Sequence, residues 1–203
     1  MAHAYAEIAF TPAVRAEQER LGSRGIHARQ EGGAAHHDAL GPDEEAFIAT
    51  RDSFYLGSVS ETGWPYIQHR GGPAGFLQVL GPRQLGFADF RGNRQYVTLG
   101  NLKGDDRVSL FLMDYARRGR LKIFGHARAT ENPAVLEQLA LPDYRAKVER
   151  AMLIDVAGFD WNCPQHITER FTMADFEAAS ARLGQRIVEL EAELARLRAA
   201  GEA

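Results

Sequence analysis

Three stretches of the chain carry side chains whose types and spacing could do chemistry. The first is FADFRGNRQY, residues 87–96, where an apolar run ends in Asp89 and then presents Arg91, Asn93, Arg94 and Gln95 within five residues. Arginine offers a planar fork of donors that matches phosphate oxygens. The following segment, YVTLGNL, has apolar spacing that predicts a short helix, whose free N–H groups would favour an anion beside those donors. Gly92 is the residue expected to take the positive backbone angle at the turn. The same residues also fit a solvated basic turn, its arginines paired with Asp89 or Asp105.

The second stretch is YIQHRGGPAGF, with Gln68, His69 and Arg70 in a row before two glycines. In a half-buried strand His69 would face one side while Gln68 and Arg70 face the other. Polar groups of this size are costly to bury without partners, and the glycines would let another body approach the backbone. A flat, hydrogen-bonding ring lying on the strand accounts for both features. The third stretch is DWNCPQHITERF, residues 160–171, with Trp161, Asn162, Cys163, Gln165 and His166 around a proline-fixed turn. Cys163 and His166 could form an activated thiolate pair, but a third, orienting group is missing from the stretch. Two further readings stand open: Trp161 packing on a bound ring with Gln165 or His166 closing the pocket, or simple burial of the tryptophan. Zinc is not expected, either here or at adjacent His36 and His37, which lack further ligands at suitable spacing and read as a solvated loop.

The elements that must position these groups follow from the pattern of the whole chain. Its 203 residues suit one domain with appendages. A net charge of -3 argues against nucleic acid or an anionic membrane as a global partner. One cysteine excludes an intrachain disulfide framework, and no apolar run approaches the roughly 20 residues that span a bilayer. The start, MAHAYAEIAF, lacks the basic flank and long apolar core of a signal peptide, so the expected location is the cytoplasm.

Residues 1–42 read as an arm or strap with a short helix from Pro12 to Leu21. A helix is expected from Pro42, and then hairpins: SFYLGSVS with YIQHRGG, GFLQVLG with RQLGFADF, and RVSLFLMDY with GRLKIFGHARAT. A helical segment is expected between Pro133 and Arg150, and AMLIDVAGFDW supplies the last strand. Short strands with tight turns and brief helices predict a mainly β fold, an antiparallel six-stranded barrel with peripheral helices over residues 43–172. The tail, residues 173–203, predicts a long amphipathic helix. Its Phe176, Leu183, Ile187, Leu190, Leu194 and Leu197 follow spacings of 7, 4, 3, 4 and 3, a heptad seam that packs back on the barrel or pairs with a second copy.

Taken in order, GSVSETGWPYIQHRGG, FADFRGNRQYVTLGNL and DDRVSLFLMDYARRGRLKIFGHARA resemble the pyridoxamine 5'-phosphate oxidase-like, FMN-binding split-barrel superfamily, and its flavin-nucleotide-binding branch more than the oxidase itself. The resemblance covers roughly residues 43–172 and implies a homodimer holding two FMN molecules between its subunits. It implies phosphate binding by Arg94 and Gln95, helped by Asn93 and Arg91, and ring contacts from Gln68, His69 and Arg70. Arg120 and Lys122 lie in the strand that, in the family, reaches the cofactor of the other subunit. Two departures from the oxidase stand out: a longer stretch between Arg94 and Arg107, and a heptad helix where the oxidase has its substrate-binding segment. The resemblance therefore implies FMN-dependent hydride chemistry on a small molecule without specifying pyridoxamine phosphate. In that chemistry Arg70, Arg120 or Lys122 would stabilise an anionic reduced ring, and His69 or His166 would supply a proton. A flavin-binding protein without turnover, and a split barrel using F420 or haem, are the alternatives.

Overall fold

A computed structural model describes residues 4–31, 38–161 and 164–201. The segment with His36 and His37 lies outside the described residues. Seven strands form one antiparallel sheet: β1 (Ser53–Val59), β2 (Pro65–Gly71), β3 (Gln78–Gly81), β4 (Gln84–Phe90), β5 (Arg107–Asp114), β6 (Gly119–Thr130) and β7 (Val148–Trp161). Their order across the sheet is β2-β1-β5-β6-β7-β4-β3. These are the seven runs read as strands in the sequence, one more than a six-stranded barrel holds; the short one is β3, four residues of GFLQVLG paired as an edge on β4.

Alternation makes the strands. In β1, Phe54, Leu56 and Ser58 are buried while Tyr55 faces out. The β1–β2 hairpin closes through Ser60, which accepts from Gly63 N at 2.8 Å and donates to Trp64 O at 2.9 Å, with Gly63 taking φ 84. That angle is one glycine reaches without steric cost. The sheet curls: Phe54 in β1 meets Phe87 in β4 with ring centroids 5.3 Å apart, although three strands separate β1 from β4 in the order. Phe76 stacks on Phe54 from the β2–β3 connection, and Leu110, Leu112, Leu121, Ile123 and Ile154 fill the same interior. The curled sheet is thus a barrel whose two edges do not share a hydrogen-bond ladder.

Helices cap and flank this body. Helix α4 (Pro42–Ala49) starts with proline and three acids, and Glu44 accepts from Gly41 N at 2.9 Å; its Ile48 is fully buried. Before it come α1 (Ala4–Ala9), α2 (Pro12–Arg20) and α3 (Arg24–His27). Helix α1 lies against β7, where a Cβ on Gly158 would stand 2.6 Å from Tyr5 N. Then come α5 (Val97–Asn101) and α6 (Pro133–Gln138). The helical stretch expected from Pro133 to Arg150 stops at Gln138, and β7 begins three residues before Ala151. The proline at 142 cannot continue a helix, and Glu149 and Arg150 lie in a strand that takes up pairing with Phe90 and Asp89.

A separate compact unit comprises Tyr115–Arg118 and His166–Ala203. Within it Arg118 pairs with Glu169 at 3.4 Å and Arg170 lies over the Tyr115 ring. Its main element is α7 (Met173–Gly201). A reciprocal cap starts this helix: Thr172 Oγ1 accepts from Asp175 N at 3.1 Å, and Asp175 accepts from Thr172 N at 2.9 Å. The Thr172 hydroxyl, which donates to Asp175 at 2.7 Å, and then the Thr172 N–H hold the Asp175 carboxyl below its ordinary range. No helix among the described residues is long and apolar enough to cross a membrane.

Candidate functional site

The register of β1 with β2 decides where each polar residue of β2 points. Arg70 sits opposite Phe54 and Gln68 opposite Leu56, so both share the inward side of those core residues, while His69 sits opposite Tyr55 and faces out. Arg70 crosses the open seam of the barrel: its Nη1 donates to Asp89 Oδ1 at 2.7 Å, tying edge strand β2 to β4. Asp89 is only 5% exposed, and its second oxygen accepts from Arg150 Nη1 at 2.9 Å. Gln68 accepts from the Thr98 hydroxyl at 2.9 Å, which fixes the amide against α5.

These groups line a cleft that is open to solvent and is completed by Phe90, Asn93, Arg94, Tyr96 and Glu149. The turn after β4 builds its rim. The left-handed backbone falls not on Gly92 but on Arg94 (φ 62) and Tyr96 (φ 55). Each such non-glycine residue costs on the order of 1 kcal/mol, and strain of this kind gathers at binding and catalytic sites. Asn93 stabilises the turn by accepting from Gln95 N at 3.1 Å. The helix that follows exists but has five residues, so the donors of the turn are its side chains rather than an extended helix dipole.

Charge in the cleft is unbalanced. Three guanidinium groups, Arg70, Arg94 and Arg150, line the cleft with two carboxylates, Asp89 and Glu149, an excess of one positive charge; Arg91, outside the lining, pairs with Glu149. Glu149 Oε1 accepts from Arg91 Nε at 2.8 Å, and this bond, more than the nearby charge of Arg150, holds its carboxyl below the usual range. Burial opposes the charge on Arg150, but its bond to Asp89 wins and raises its pKa; the guanidinium also lies over the Tyr96 ring at 5.3 Å. Arg94 reaches the Tyr96 hydroxyl oxygen at 3.4 Å, and the phenol raises its pKa. The Nε of Arg70 is buried without a hydrogen-bond partner, a donor left unspent in the cleft wall.

The other sequence-predicted residues lie elsewhere in the chain. Across β2, β1, β5, β6 and β7, the residues His69, Tyr55, Phe111, Lys122 and Asp160 stand opposite one another in a single outward row. Lys122 is bound there to Asp160 at 2.8 Å and lies over the Tyr5 ring, and His69 packs edge-on against Tyr55. Arg120, two residues along, lies over Phe111 with its Nε buried and unpartnered. Gln95 is exposed on the turn and does not line the cleft.

Trp161 ends β7, eleven residues from Arg150 and so roughly 35 Å along the strand. Its indole donates to Glu44 at 2.6 Å and its ring meets Phe47 edge-on, so it packs on α4 and does not roof the cleft of its own chain. Gln165 and His166 are exposed, His166 with φ 63; Asn162 and Cys163 lie outside the described residues. Among the described residues no cluster could hold a metal ion. The glycines after Arg70 serve internal packing: a Cβ on Gly72 would stand 2.7 Å from Phe76 Cγ.

Arg150, Glu149, Tyr96 and Thr98 escape a reading of local motifs. Arg150 meets Asp89 across 61 residues of sequence, through the β4–β7 pairing. The one available signal is Asp89 itself, an acid closing a wholly apolar strand, which requires a cationic partner if buried.

No functionally curated protein matches the chain. Among solved structures, a candidate pyridoxamine 5'-phosphate oxidase from Lactobacillus delbrueckii is 18% identical, with a TM-score of 0.47 over 61% of this chain and 94% of its own. An FMN-binding protein from Syntrophomonas wolfei is 13% identical, with a TM-score of 0.46 over 74% and 95%. The heme storage protein HutZ from Vibrio cholerae is 16% identical, with a TM-score of 0.41 over 60% and 94%. The sequence profile described as pyridoxamine 5'-phosphate oxidase matches residues 40–196, more than three quarters of the chain. With that match spanning the barrel and most of α7, the chain belongs to the pyridoxamine 5'-phosphate oxidase family.

Proposed function

We propose that the chain is an FMN-binding flavoprotein, an oxidoreductase acting on a small molecule, and that the cleft between β2, the turn after β4 and the start of β7 takes the cofactor's phosphate. The observation that carries this reading is the cleft's charge: three guanidinium groups against two carboxylates in its lining, with Arg91 behind Glu149, on a rim that holds Arg94 and Tyr96 in left-handed backbone. A surplus of positive charge fits a phosphate, and arginine forks suit its oxygens. Arg94, at the exposed rim, would hold the phosphate, with Asn93 beside it. Arg91 and Arg150, steadied by Glu149, would supply the charge behind it. Gln68, fixed by Thr98, would orient the ligand through its amide. When bound, the flavin supplies the electron-accepting and electron-donating ring; the protein's part is orientation, electrostatics and control of access.

A homodimer belongs to the same reading. The outward row on β2, β1 and β5 is flanked by Ile67 at 70% exposure and Trp64 at 75%, apolar surface suited to a second chain. Arg120, with its unpartnered Nε, is the residue of that face best placed in energy terms to accept a ligand carried by the other subunit.

The test is the visible absorption spectrum of the purified protein, with mass analysis of any ligand released by heat. FMN at about one per chain supports the reading, and its loss in Arg94→Ala supports the phosphate assignment. A deazaflavin or haem spectrum would replace the cofactor, and failure to bind added FMN would remove the function. Reduction of the bound flavin by a nicotinamide nucleotide, followed by reoxidation with an added acceptor, separates an enzyme from a flavin carrier.

A further inference from the structure

Helix α7 is 29 residues long and each of its described side chains is exposed. Its apolar stripe is open to water along its whole length, from Phe176 at 63% and Leu183 at 66% to Leu197 at 65%. An isolated helix gains little from propensity alone, and Gly184, inside this one, lowers that by about 1 kcal/mol relative to alanine. The stripe therefore calls for a partner.

We propose that α7 pairs with the same helix of a second chain as a parallel, in-register, two-stranded coiled coil. The heptad frame puts Met173, Ser180, Ile187 and Leu194 at the first core position and Phe176, Leu183, Leu190 and Leu197 at the second. Branched Ile187 between Leu183 and Leu190 is the arrangement that favours two parallel strands. The flanks make the helix complementary to itself. In register, Arg186 of one helix lies opposite Glu191 of the other, and Glu193 lies opposite Arg198. By two-fold symmetry each attractive pair forms twice, and no pair of like charges arises at these flanking positions. Arg186 already bonds Glu189 of its own helix at 3.0 Å, so pairing sets it between two carboxylates. A second copy of this chain supplies the matching repeat and the matching charges together. This contact is independent of the flavin reading.

The test uses the full chain in a Cys163→Ser background. Leu190→Cys, at a core position, is expected to give a disulfide-linked dimer as the major species under mild oxidation, since facing core positions of parallel helices lie within disulfide reach. Gln185→Cys, on the outer face, is expected to stay unlinked. Because the readout is at the helix seam, a dimer held by the barrels alone does not produce it. Arg186→Glu is expected to weaken self-association roughly tenfold, and Arg186→Glu with Glu191→Arg to restore it. Helix content by far-UV circular dichroism checks that each variant folds, and Leu183→Cys replaces Leu190→Cys if that variant does not. Equal linking at Leu190→Cys and Gln185→Cys, or none at either core position, overturns the proposal. Linking only between Ile187→Cys on one chain and Leu190→Cys on another would show an antiparallel pair and overturn it as well.

Discussion

The two faces of the sheet treat their cations in opposite ways. On the inward face Arg70 shares one buried aspartate with Arg150, so Asp89 neutralises one charge of two and the cleft stays positive. On the outward face Lys122, in the row begun by His69, has an aspartate to itself and an aromatic ring beneath it. The same residue types thus leave unbalanced positive charge in one place and a neutral pair in the other. What separates them is the count of partners, not the number of arginines and lysines.

Removing the shared acid should break the contrast most strongly. Asp89→Asn leaves Arg70 without its counter-charge and Arg150 with Glu149 alone, and a loss of about 3 kcal/mol in unfolding free energy is expected, read from urea unfolding. Arg94→Ala should leave stability almost unchanged, because the side chain is exposed. It should weaken FMN binding by roughly 10- to 100-fold, the scale of one hydrogen bond to a charged group, read by fluorescence titration.

Arg94→Gly sharpens the point: it should lose the same affinity yet gain about 1 kcal/mol of stability by relieving φ 62. Such a split between folding and binding would mark the backbone strain as serving the site. Lys122→Ala, its charge already balanced, should change FMN affinity by less than about threefold.

Acid should act on the cleft through Glu149. Its folded-state pKa lies below the ordinary 4.5, so its contribution is complete above that value and is lost as pH falls through the lower one. Melting temperature followed against pH should therefore show a decline below about pH 4.5 that Glu149→Gln lacks.

The strands were legible because one face of each is buried, and alternation in SFYLGSV or RVSLFLMD records that directly. The opposite facings of His69 and of Gln68 with Arg70 were legible for the same reason. The partner in the cleft was not. Arg150 stands in VERAML, a stretch that reads as helix end or strand start until pairing with β4 is known. The turn misled in another way. Gly92 is the residue that adopts left-handed backbone cheaply, yet Arg94 and Tyr96 adopt it, with Arg94 bonded to the Tyr96 hydroxyl and that hydroxyl to Glu149. Local chemistry names what a residue prefers, and distant contacts decide what it does. Trp161 ends the strand that carries Arg150, and the two ends of so long a strand serve different parts of the barrel: Arg150 meets Asp89 and Trp161 packs on α4.

The seam crossed by Arg70 has a mechanical consequence. Ladders of backbone hydrogen bonds join every neighbouring pair in the sheet, but the ends of the order are held together by an ion pair and a cluster of phenylalanine rings. Such a barrel opens as a cuff does, along its clasp, well before β5 and β6 separate. Amide hydrogen exchange should be fast in β2 and β3 and slow in β6. A ligand settling on the clasp would slow the first two and leave the third unchanged, so binding would be felt as stiffness at the edges of the sheet.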